Sequence, residues 1–248
     1  MGILLYNSKK ERGGILQISV TLSANAGVSI CAAGHRIWID AIHHEKEPGF
    51  SAVTPQLQRQ LLHAEAFQNP GHILFTHCHP DHYSRDLTAA AASLWPKAKL
   101  YLPESAFPEQ VLITGQSVAA EEDLTFSFYK LPHEGRQYAD VAHYGVILRI
   151  QDKNILIAGD CATASAALAD ALAGEKIHLA ILNFPWITLK KGRQFLQTHL
   201  PDSQLLICHL PFAQDDINGY RQAAQKVAKD HPNARLLLEP LQAENLII

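Results

Sequence analysis

A six-residue segment, His77-Cys78-His79-Pro80-Asp81-His82, constrains this chain more than any other feature. It places three histidines and an aspartate directly after the apolar run 73–75. Imidazole suits zinc, and a carboxylate can complete the coordination shell. In an extended turn the first two histidines point the same way, because side chains alternate with a period of two. If the chain then bends into a helix at the aspartate, the last pair can face a second metal. The alternative, a solvated histidine-rich loop, does not explain the hydrophobic strand before it.

Residues of the same chemical type stand at the ends of other predicted strands. Asp40 closes the strand 35–40, and His133 follows the alternating strand 124–131 within Pro-His-Glu. Asp160 follows the strand 155–158, and His209 follows the strand 205–208. Taken alone, Gly-Asp after a strand is an ordinary turn signal, and a histidine at a strand end is often only hydrogen-bonded. The position of Asp160 after a strand and downstream of the histidine motif, and the place of His209 at a later strand end, favour one shared site.

This arrangement resembles the metallo-β-lactamase superfamily of hydrolases. The resemblance rests on His-x-His-x-Asp-His at a strand end and on the order of the later strand-end residues, from about residue 14 to about residue 216. The Pro-His-Glu form of the third motif is similar to the branch that contains ascorbate-6-phosphate lactonase. The Gly-His-Thr form typical of glyoxalases and lactamases is missing, which argues against those subfamilies.

The resemblance implies a dinuclear site, with zinc as the first choice and Mn²⁺, Fe²⁺ or Ni²⁺ as alternatives. Three histidines would hold one metal, an aspartate and two histidines the other, and a second aspartate would bridge both. In that order these residues are His77, His79 and His133, then Asp81, His82 and His209, then Asp160. A hydroxide shared between the metals would be the nucleophile, and the second metal would act as a Lewis acid. Asp81, which could orient the hydroxide or relay its proton, and Asp160 are the expected catalytic carboxylates.

Other residues are candidates for supporting roles or substrate contact. Asp40 is expected to accept a hydrogen bond from a ligand histidine, as metal sites generally require, with a plain turn residue as the alternative. Tyr83 could cover the metals or bind substrate, with core packing as an equal rival. Trp186 could form a wall of the pocket. His43 and His44 are expected to be solvated loop residues.

Two histidines compete for one ligand position, because His133 and His143 fall in the same interval. Pro132 restricts the backbone before His133 and helps to fix the direction of its side chain. His143 instead begins the strand that runs to residue 150. We therefore expect His133 as the ligand, and His143 as a residue that supports the site or contacts substrate.

Composition argues against several other classes of protein. The 248 residues are 47% hydrophobic and contain no Pro/Ser-rich linker, which predicts a single domain over residues 1–248. The net charge of −3 comes from 21 scattered basic and 24 acidic residues, so a nucleic-acid surface is not expected and an RNA- or DNA-processing nuclease is an unsupported alternative.

No apolar run approaches the ~20 residues of a membrane span, and the N-terminus does not resemble a signal peptide. The expectation is a cytoplasmic protein with a small-molecule substrate and an undetermined oligomeric state.

The four cysteines form no C-x-x-C pair, which argues against a disulfide framework. Cys78, Cys161 and Cys208 each adjoin a predicted ligand. A thiolate would be redundant beside a complete His/Asp set. We expect these side chains to pack into the protein as small hydrophobic groups.

The predicted elements define an α/β chain. Strands are expected at 14–19, 27–32, 35–40, 72–76, 99–102, 124–131, 144–150, 155–158, 177–182, 205–208 and, last, 235–238. Helices are expected from Thr54, which caps a first turn containing Pro55, and at 84–95, 104–109, 164–173, 188–199 and 215–229. This mixture predicts two sheets between helices. The resemblance implies the same αβ/βα four-layer sandwich, with two mixed β-sheets face to face and helices outside.

The leading functional expectation is a metal-dependent hydrolase of a small ester, lactone or phosphodiester. A mononuclear iron oxidoreductase of the same fold, similar to thiol dioxygenases, is the alternative, although its Gly-His-Thr motif is missing. Flavodiiron-type reductases carry glutamate where this chain has His79. A non-catalytic metal-binding or partner-binding domain is disfavoured by the complete ligand set.

Overall fold

The computed structural model describes residues 14–45 and 47–248. The N-terminal segment on which the signal-peptide expectation rests lies outside these residues. The strands are β1 Gln17–Leu22, β2 Val28–Ala32, β3 His35–Ile39, β4 His72–Leu74, β5 Lys99–Leu102, β6 Val111–Leu112, β7 Ser117–Glu121, β8 Leu124–Lys130, β9 Tyr144–Ile150, β10 Lys153–Ile157, β11 Leu179–Asn183, β12 Gln204–Cys208, β13 Ala234–Leu236 and β14 Ala243–Ile247. The α-helices are α1 Pro55–His63, α2 Arg85–Leu94, α3 Ala166–Leu172, α4 Pro185–Thr188, α5 Lys190–His199 and α6 Tyr220–Ala228.

The strands form two seven-stranded mixed sheets. The first has the order β14-β1-β2-β3-β4-β5-β6, and the second β13-β12-β11-β10-β9-β8-β7. In the first sheet the pairs from β14 to β3 are antiparallel and those from β3 to β6 are parallel. In the second sheet the pairs from β13 to β10 are parallel and those from β10 to β7 are antiparallel. The predicted pair of mixed sheets is confirmed.

Alternating apolar residues place the main core between the sheets. In β8, Leu124, Phe126 and Phe128 are buried while the residues between them are partly exposed, as expected for a strand with one face in the core. They belong to the same buried cluster as the inward residues of β1 and β2. Each large apolar side chain buried in this way stabilises the fold by ~1.5–3 kcal/mol.

Helices cover the outer face of each sheet. Outside the first sheet, Trp38 packs edge-on against Trp95, with ring centroids 4.9 Å apart. Outside the second sheet, β10, β11 and β12 contribute apolar residues to a separate cluster with α3 and α5, which includes Leu168 and Leu196. The layers therefore run helix, sheet, sheet, helix, which confirms the predicted four-layer sandwich.

Side-chain caps fix where α1 and α2 begin. Thr54 accepts a hydrogen bond from Leu57 N at 3.2 Å, with Pro55 as the first helical residue, so the predicted start of α1 is confirmed. Ser84 caps α2 in the same way. This cap lies two residues after His82, so the histidine motif is held between the end of β4 and the first turn of α2.

Several predicted elements differ from the structure. Residues 104–109 form turns, because the side-chain oxygen of Gln110 accepts hydrogen bonds from Ala106 N and Phe107 N. Helix α6 begins at residue 220, after Gly219 in the left-handed conformation with φ 72°. The strand at 234–236 is not the last, since β14 follows and pairs with β1. Within the described part of the chain, no helix has the length and apolarity of a membrane span.

Candidate metal centre

The predicted site residues converge because parallel strands bring their carboxyl ends to one edge of a sheet. In the first sheet, Asp40 follows β3 and the histidine motif follows the neighbouring parallel strand β4. In the second sheet, Asp160 follows β10 and His209 follows β12, with both strands parallel to β11. His133 follows β8, and all five places meet at one end of the sandwich.

Two histidines and two aspartates form the first group. The Nε2 atoms of His82 and His209 lie 3.2 Å apart. Asp160 Oδ2 lies 3.4 Å from each of these nitrogens, and Asp81 Oδ2 lies 3.6 Å from His209 Nε2 and 3.8 Å from His82 Nε2. Four side chains from three segments of the chain thus direct their donor atoms at one small volume.

Three histidines form the second group, next to the first. The rings of His77, His79 and His133 have pairwise centroid distances of 4.6, 4.7 and 4.9 Å. One ring nitrogen of each lies within 4.8 Å of the others. Asp160 Oδ2 lies 3.7 Å from His133 Nε2. Asp160 therefore contacts both groups, in the position that a shared ligand would occupy.

The hydrogen bonds of the imidazoles leave Nε2 available. His133 Nδ1 donates to Glu134 O at 2.7 Å, and His82 Nδ1 donates to Asp40 Oδ2 at 3.1 Å. His77 Nδ1 lies 3.0 Å from the Thr76 hydroxyl, which itself donates to Asp40. A neutral imidazole with its proton on Nδ1 carries its lone pair on Nε2. The three rings therefore present metal-binding nitrogens to the site.

Buried polar atoms without partners mark where a cation fits. His77 Nε2, His133 Nε2 and Asp160 Oδ1 are buried and have no hydrogen-bond partner within the described residues. An unpaired buried polar atom costs about 1–3 kcal/mol, and an imidazole nitrogen or carboxylate oxygen regains that energy by coordination. Neutral imidazole and carboxylate donors at this spacing suit zinc and related divalent ions. The residues present thus fit the metals that the sequence predicts.

The charges of the site are strongly coupled. Burial opposes ionisation of Asp160, but the facing His209 and His82 hold the pKa of its carboxyl well below the usual range. Burial likewise opposes protonation of His209, but Asp160 and Asp81 raise the pKa of that imidazole to about 9, and Asp160 also raises the pKa of His82. Protons on both facing Nε2 atoms, 3.2 Å apart, would repel each other. A divalent ion between them would replace the protons and relieve this repulsion.

Asp40 supports the site by accepting hydrogen bonds from Thr76 and His82. Its Oδ1 accepts from Thr76 N at 2.8 Å, and its Oδ2 accepts from the Thr76 hydroxyl at 2.6 Å and from His82 Nδ1. Its backbone is in the left-handed region with φ 50°, which aspartate tolerates better than most residues. The carboxylate is 1% exposed. It thus orients His82 directly and His77 through Thr76, which is the arrangement expected of a supporting carboxylate.

Asn25 is a site residue that sequence reasoning missed. Its side-chain Nδ2 donates to Asp81 Oδ2 at 3.0 Å and to the backbone carbonyl of Asp81 at 3.2 Å. Its own backbone carbonyl accepts a hydrogen bond from His209 N at 2.9 Å. Asn25 is fully buried with φ 53°, and it positions two of the predicted ligands at once. The only signal was an asparagine in a turn before a glycine, which is too common to mark a site.

Backbone hydrogen bonds connect the loop that carries His133 to the loop that carries Asp160. Glu134 N donates to Asp160 O at 2.8 Å, and Ala162 N donates to Pro132 O at 2.7 Å. The Glu134 side chain accepts from Thr163 N at 2.6 Å. The loop that carries His133 therefore cannot move independently of the loop that carries Asp160.

His143 and His43 lie beside the predicted ligands. His143 is fully buried and donates Nδ1 to Leu131 O at 3.1 Å, and its Nε2 has no hydrogen-bond partner in the described part of the chain. Its ring centroid lies 5.2 Å from that of His77. It is outside the three candidate ligand groups. His43 is also fully buried, 3.4 Å from Ala24 O, which corrects the expectation of a solvated residue. Burial lowers the pKa of each of these imidazoles to about 4.

Two expected substrate contacts lie elsewhere. Tyr83 packs edge-on against Phe75 in the core, with ring centroids 5.0 Å apart. Trp186 is fully buried and packs against Phe195 at 5.2 Å, because α4 turns its side chain into the second sheet's outer core. Neither lines the cleft over the site, which corrects the expected role of Trp186; Phe184 and Pro185 line it instead.

The cysteines next to the ligands point into packed protein. Cys161 and Cys208 are buried, and their thiols lie 3.5 Å from backbone carbonyls. Burial raises the pKa of the Cys161 thiol to about 12 and raises that of Cys208. Cys78 is partly buried, and its thiol pKa is raised to about 12 by the same cause. These protonated thiols behave as small hydrophobic groups.

A cleft of about 450 Å³ opens over the two groups. Its floor contains His79, Asp81, His133, Asp160 and His209. Phe50, which sequence reasoning also missed, packs edge-on against His209 with ring centroids 4.6 Å apart. A volume of this size is typical of small-molecule pockets.

Comparison with known proteins extends the structural result. No protein-family model matches the chain, and no curated protein sequence is significantly similar to it. Among solved structures, an isothiocyanate hydrolase from Delia radicum gut bacteria matches with a TM-score of 0.65 at 16% identity, over 94% of this chain and all of that one. The metallo-β-lactamase fold protein YhfI from Bacillus subtilis matches with a TM-score of 0.60 at 12% identity, over 93% of this chain and 99% of that one.

A third solved structure shows the breadth of the fold. The diiron β-hydroxylase CmlA from Streptomyces venezuelae matches with a TM-score of 0.56 at 13% identity, over 93% of this chain and 54% of that one. At these identities the likeness shows the fold. The chain has the metallo-β-lactamase fold, and the predicted fold class is confirmed.

Proposed function

We propose that this protein is a metal-dependent hydrolase of a small molecule. One observation carries the proposal: Asp160 Oδ2 lies 3.4 Å from the facing Nε2 atoms of His82 and His209 and 3.7 Å from His133 Nε2. A carboxylate shared in this way by buried imidazoles, at the floor of a small cleft, suits two divalent ions. The hydrolase name of a solved structure with the same fold supports the reaction class, although fold alone does not determine function.

The two groups give each proposed metal its ligands. His77, His79 and His133 would hold one ion, and Asp81, His82 and His209 the other, with Asp160 between them. Divalent ions bound there would activate water as a nucleophile and polarise the bond to be cleaved. Zinc is the proposed metal, because five imidazoles and two carboxylates suit it better than magnesium or calcium. The resemblance of Pro-His-Glu to the ascorbate-6-phosphate lactonase branch adds lactones to the candidate substrates.

The chain's own residues hold the reacting geometry. Asn25 Nδ2 donates to Asp81 Oδ2, which restricts the rotation of this carboxylate. Asp160 Oδ1 is buried and has no hydrogen-bond partner among the residues that the structure describes, so it can accept a coordination or hydrogen bond. Phe50 and Tyr138 shield the imidazoles of His209 and His79 from bulk water. A site of this kind is held in place at its floor and is open through the cleft.

Metal analysis combined with a substrate panel tests the proposal. We expect two zinc ions per chain by mass spectrometry, and hydrolysis of at least one class among lactones, carboxyl esters, isothiocyanates and phosphodiesters. Exhaustive chelation should abolish the activity, and added Zn²⁺ should restore it. Full activity in protein verified to be metal-free would overturn the proposal.

Iron is the main alternative metal, because one solved structure of this fold is a diiron β-hydroxylase. Mass spectrometry separates the two cases directly. Stoichiometric iron together with oxygen consumption, and no hydrolysis across the panel, would identify an oxidoreductase instead.

A further inference from the structure

The cleft above the predicted ligands is aromatic on two sides. Tyr138 packs edge-on against His79 and His133, with centroid distances of 4.9 and 4.8 Å. Phe50 packs edge-on against His209 at 4.6 Å. A substrate that reaches the floor therefore passes between Tyr138 on one side and Phe50 on the other.

The wall on the Phe50 side extends outward through a stack of rings. Phe184, which lines the cleft, stacks on Tyr220 with centroids 4.7 Å apart, and Tyr220 stacks on Phe50 at 5.7 Å. Tyr220 is the first residue of α6 and holds both lining rings in place. Pro48 and Pro185 add apolar surface to the same cleft. Rigid aromatic and proline surfaces bind an apolar group at low entropic cost.

Outside the predicted ligands, the charged side chains among the described lining residues of the cleft are all acidic. They are Glu47 and Glu134, and this described lining includes no lysine or arginine. Lys191 Nζ lies 3.6 Å from Glu134 Oε1, but it does not line the cleft. The Glu134 side chain is held at the cleft by the hydrogen bond that it accepts from Thr163 N at 2.6 Å.

We propose that the substrate is uncharged and carries an apolar group next to the reacting bond. This inference rests on the proposed function and narrows it. Among the described lining residues, an anionic group remote from the metals would lose hydration and meet Glu47 and the Lys191-paired Glu134, with no lysine or arginine in the lining to compensate its charge. Phosphorylated substrates such as those of the lactonase branch would therefore be disfavoured, while neutral lactones, esters and isothiocyanates fit.

A matched pair of esters tests the preference. 4-Nitrophenyl hexanoate and mono-4-nitrophenyl adipate share the leaving group and the reacting ester, and they differ mainly in the remote carboxylate. We expect kcat/KM to be about tenfold or more higher for the hexanoate. In Glu47→Lys the ratio should narrow at least several-fold, because a cation then faces the remote carboxylate. Glu109→Lys makes the same charge change at an exposed residue outside the cleft and should leave the ratio unchanged.

A binding measurement keeps the inference testable without turnover. The amide analogues N-(4-nitrophenyl)butyramide and N-(4-nitrophenyl)succinamic acid can be compared by calorimetry on the metal-loaded protein. The neutral amide should bind more tightly, and Phe184→Ala should weaken it. Equal or tighter binding of the anionic amide would overturn the inference. Preferential binding of the neutral amide with no hydrolysis of any lactone, ester, isothiocyanate or phosphodiester would contradict the proposed function and leave the binding preference standing.

Discussion

The Nε2 atoms of His82 and His209 face each other at 3.2 Å, although the residues are 127 positions apart in the chain. His82 belongs to the loop after β4 in the first sheet, and His209 follows β12 in the second. Their contact therefore depends on the two sheets packing at the correct register. Asp160 stabilises the pair electrostatically, because its Oδ2 lies 3.4 Å from both nitrogens. The site thus joins the two halves of the sandwich.

Removal of Asp160 should have the largest effect on the site. In Asp160→Ala we expect the metal content to fall by at least one ion per chain and kcat/KM to fall by about two to three orders of magnitude. The loss of the shared carboxylate removes two contacts and increases repulsion between the cations. Mass spectrometry and circular dichroism would report metal content and fold. Asp170→Ala, at an exposed position of α3, is the control; a fully loaded and active Asp160→Ala protein would contradict the assignment.

The competing histidines can be separated by parallel substitutions. His133→Ala should lose metal from the three-histidine group, because its Nε2 lies near Asp160 and within the ligand cluster. His143→Ala should keep both metals, since its ring lies behind His77 and outside that cluster. Metal content per chain, measured at equal free Zn²⁺, distinguishes the two variants. The reverse pattern would make His143 the ligand.

Much of the fold was predictable because its signals are local. The alternation of Leu124, Phe126 and Phe128 indicates a strand with one buried face, and Thr54-Pro55 marks a helix start. The pairing of β14 with β1 was not predictable, because it joins residues over 220 positions apart with no turn between them to indicate the register. The short strand β6 has only two residues and carries no periodic signal.

The residues of the candidate site also divide into those that the sequence could predict and those that it could not. Its histidines and aspartates could be proposed from their chemistry and their positions at strand ends, and the structure brings these residues together. Asn25, Phe50 and Tyr138 could not, because each belongs to a loop whose path depends on tertiary packing. His43 was expected to be solvated because it lies in a polar loop, but the structure buries it fully.

Asp40 should tune the metal site without contacting substrate. Asp40→Asn keeps the size of the side chain and tolerates the left-handed φ of 50°. It weakens the anchor of His82 Nδ1, because an amide cannot accept all three hydrogen bonds that the carboxylate accepts. We expect zinc affinity to fall about 10–100-fold, measured by competition with a chromophoric chelator. Thr76→Ser, which keeps the hydroxyl, should stay within a few-fold of wild type; unchanged affinity in Asp40→Asn would remove the supporting role.

The last prediction concerns acid stability through His43. Burial lowers the pKa of its imidazole to about 4, from 6.5 in the unfolded chain. Between these values the unfolded chain binds the extra proton, so the contribution of neutral His43 to stability is complete above pH 6.5 and is lost as the pH falls towards 4. The linkage amounts to about 2 kcal/mol between pH 7 and pH 5.

Urea unfolding of the chelated protein at pH 7 and pH 5 measures this linkage. In His43→Leu the loss of unfolding free energy between the two pH values should be about 2 kcal/mol smaller than in wild type. Chelation removes metal binding from both measurements, so the ligand histidines contribute equally to wild type and variant. His63→Leu, at an exposed position of α1, should leave the pH dependence unchanged. Identical pH dependence in His43→Leu and wild type would show that His43 is not held neutral by its burial.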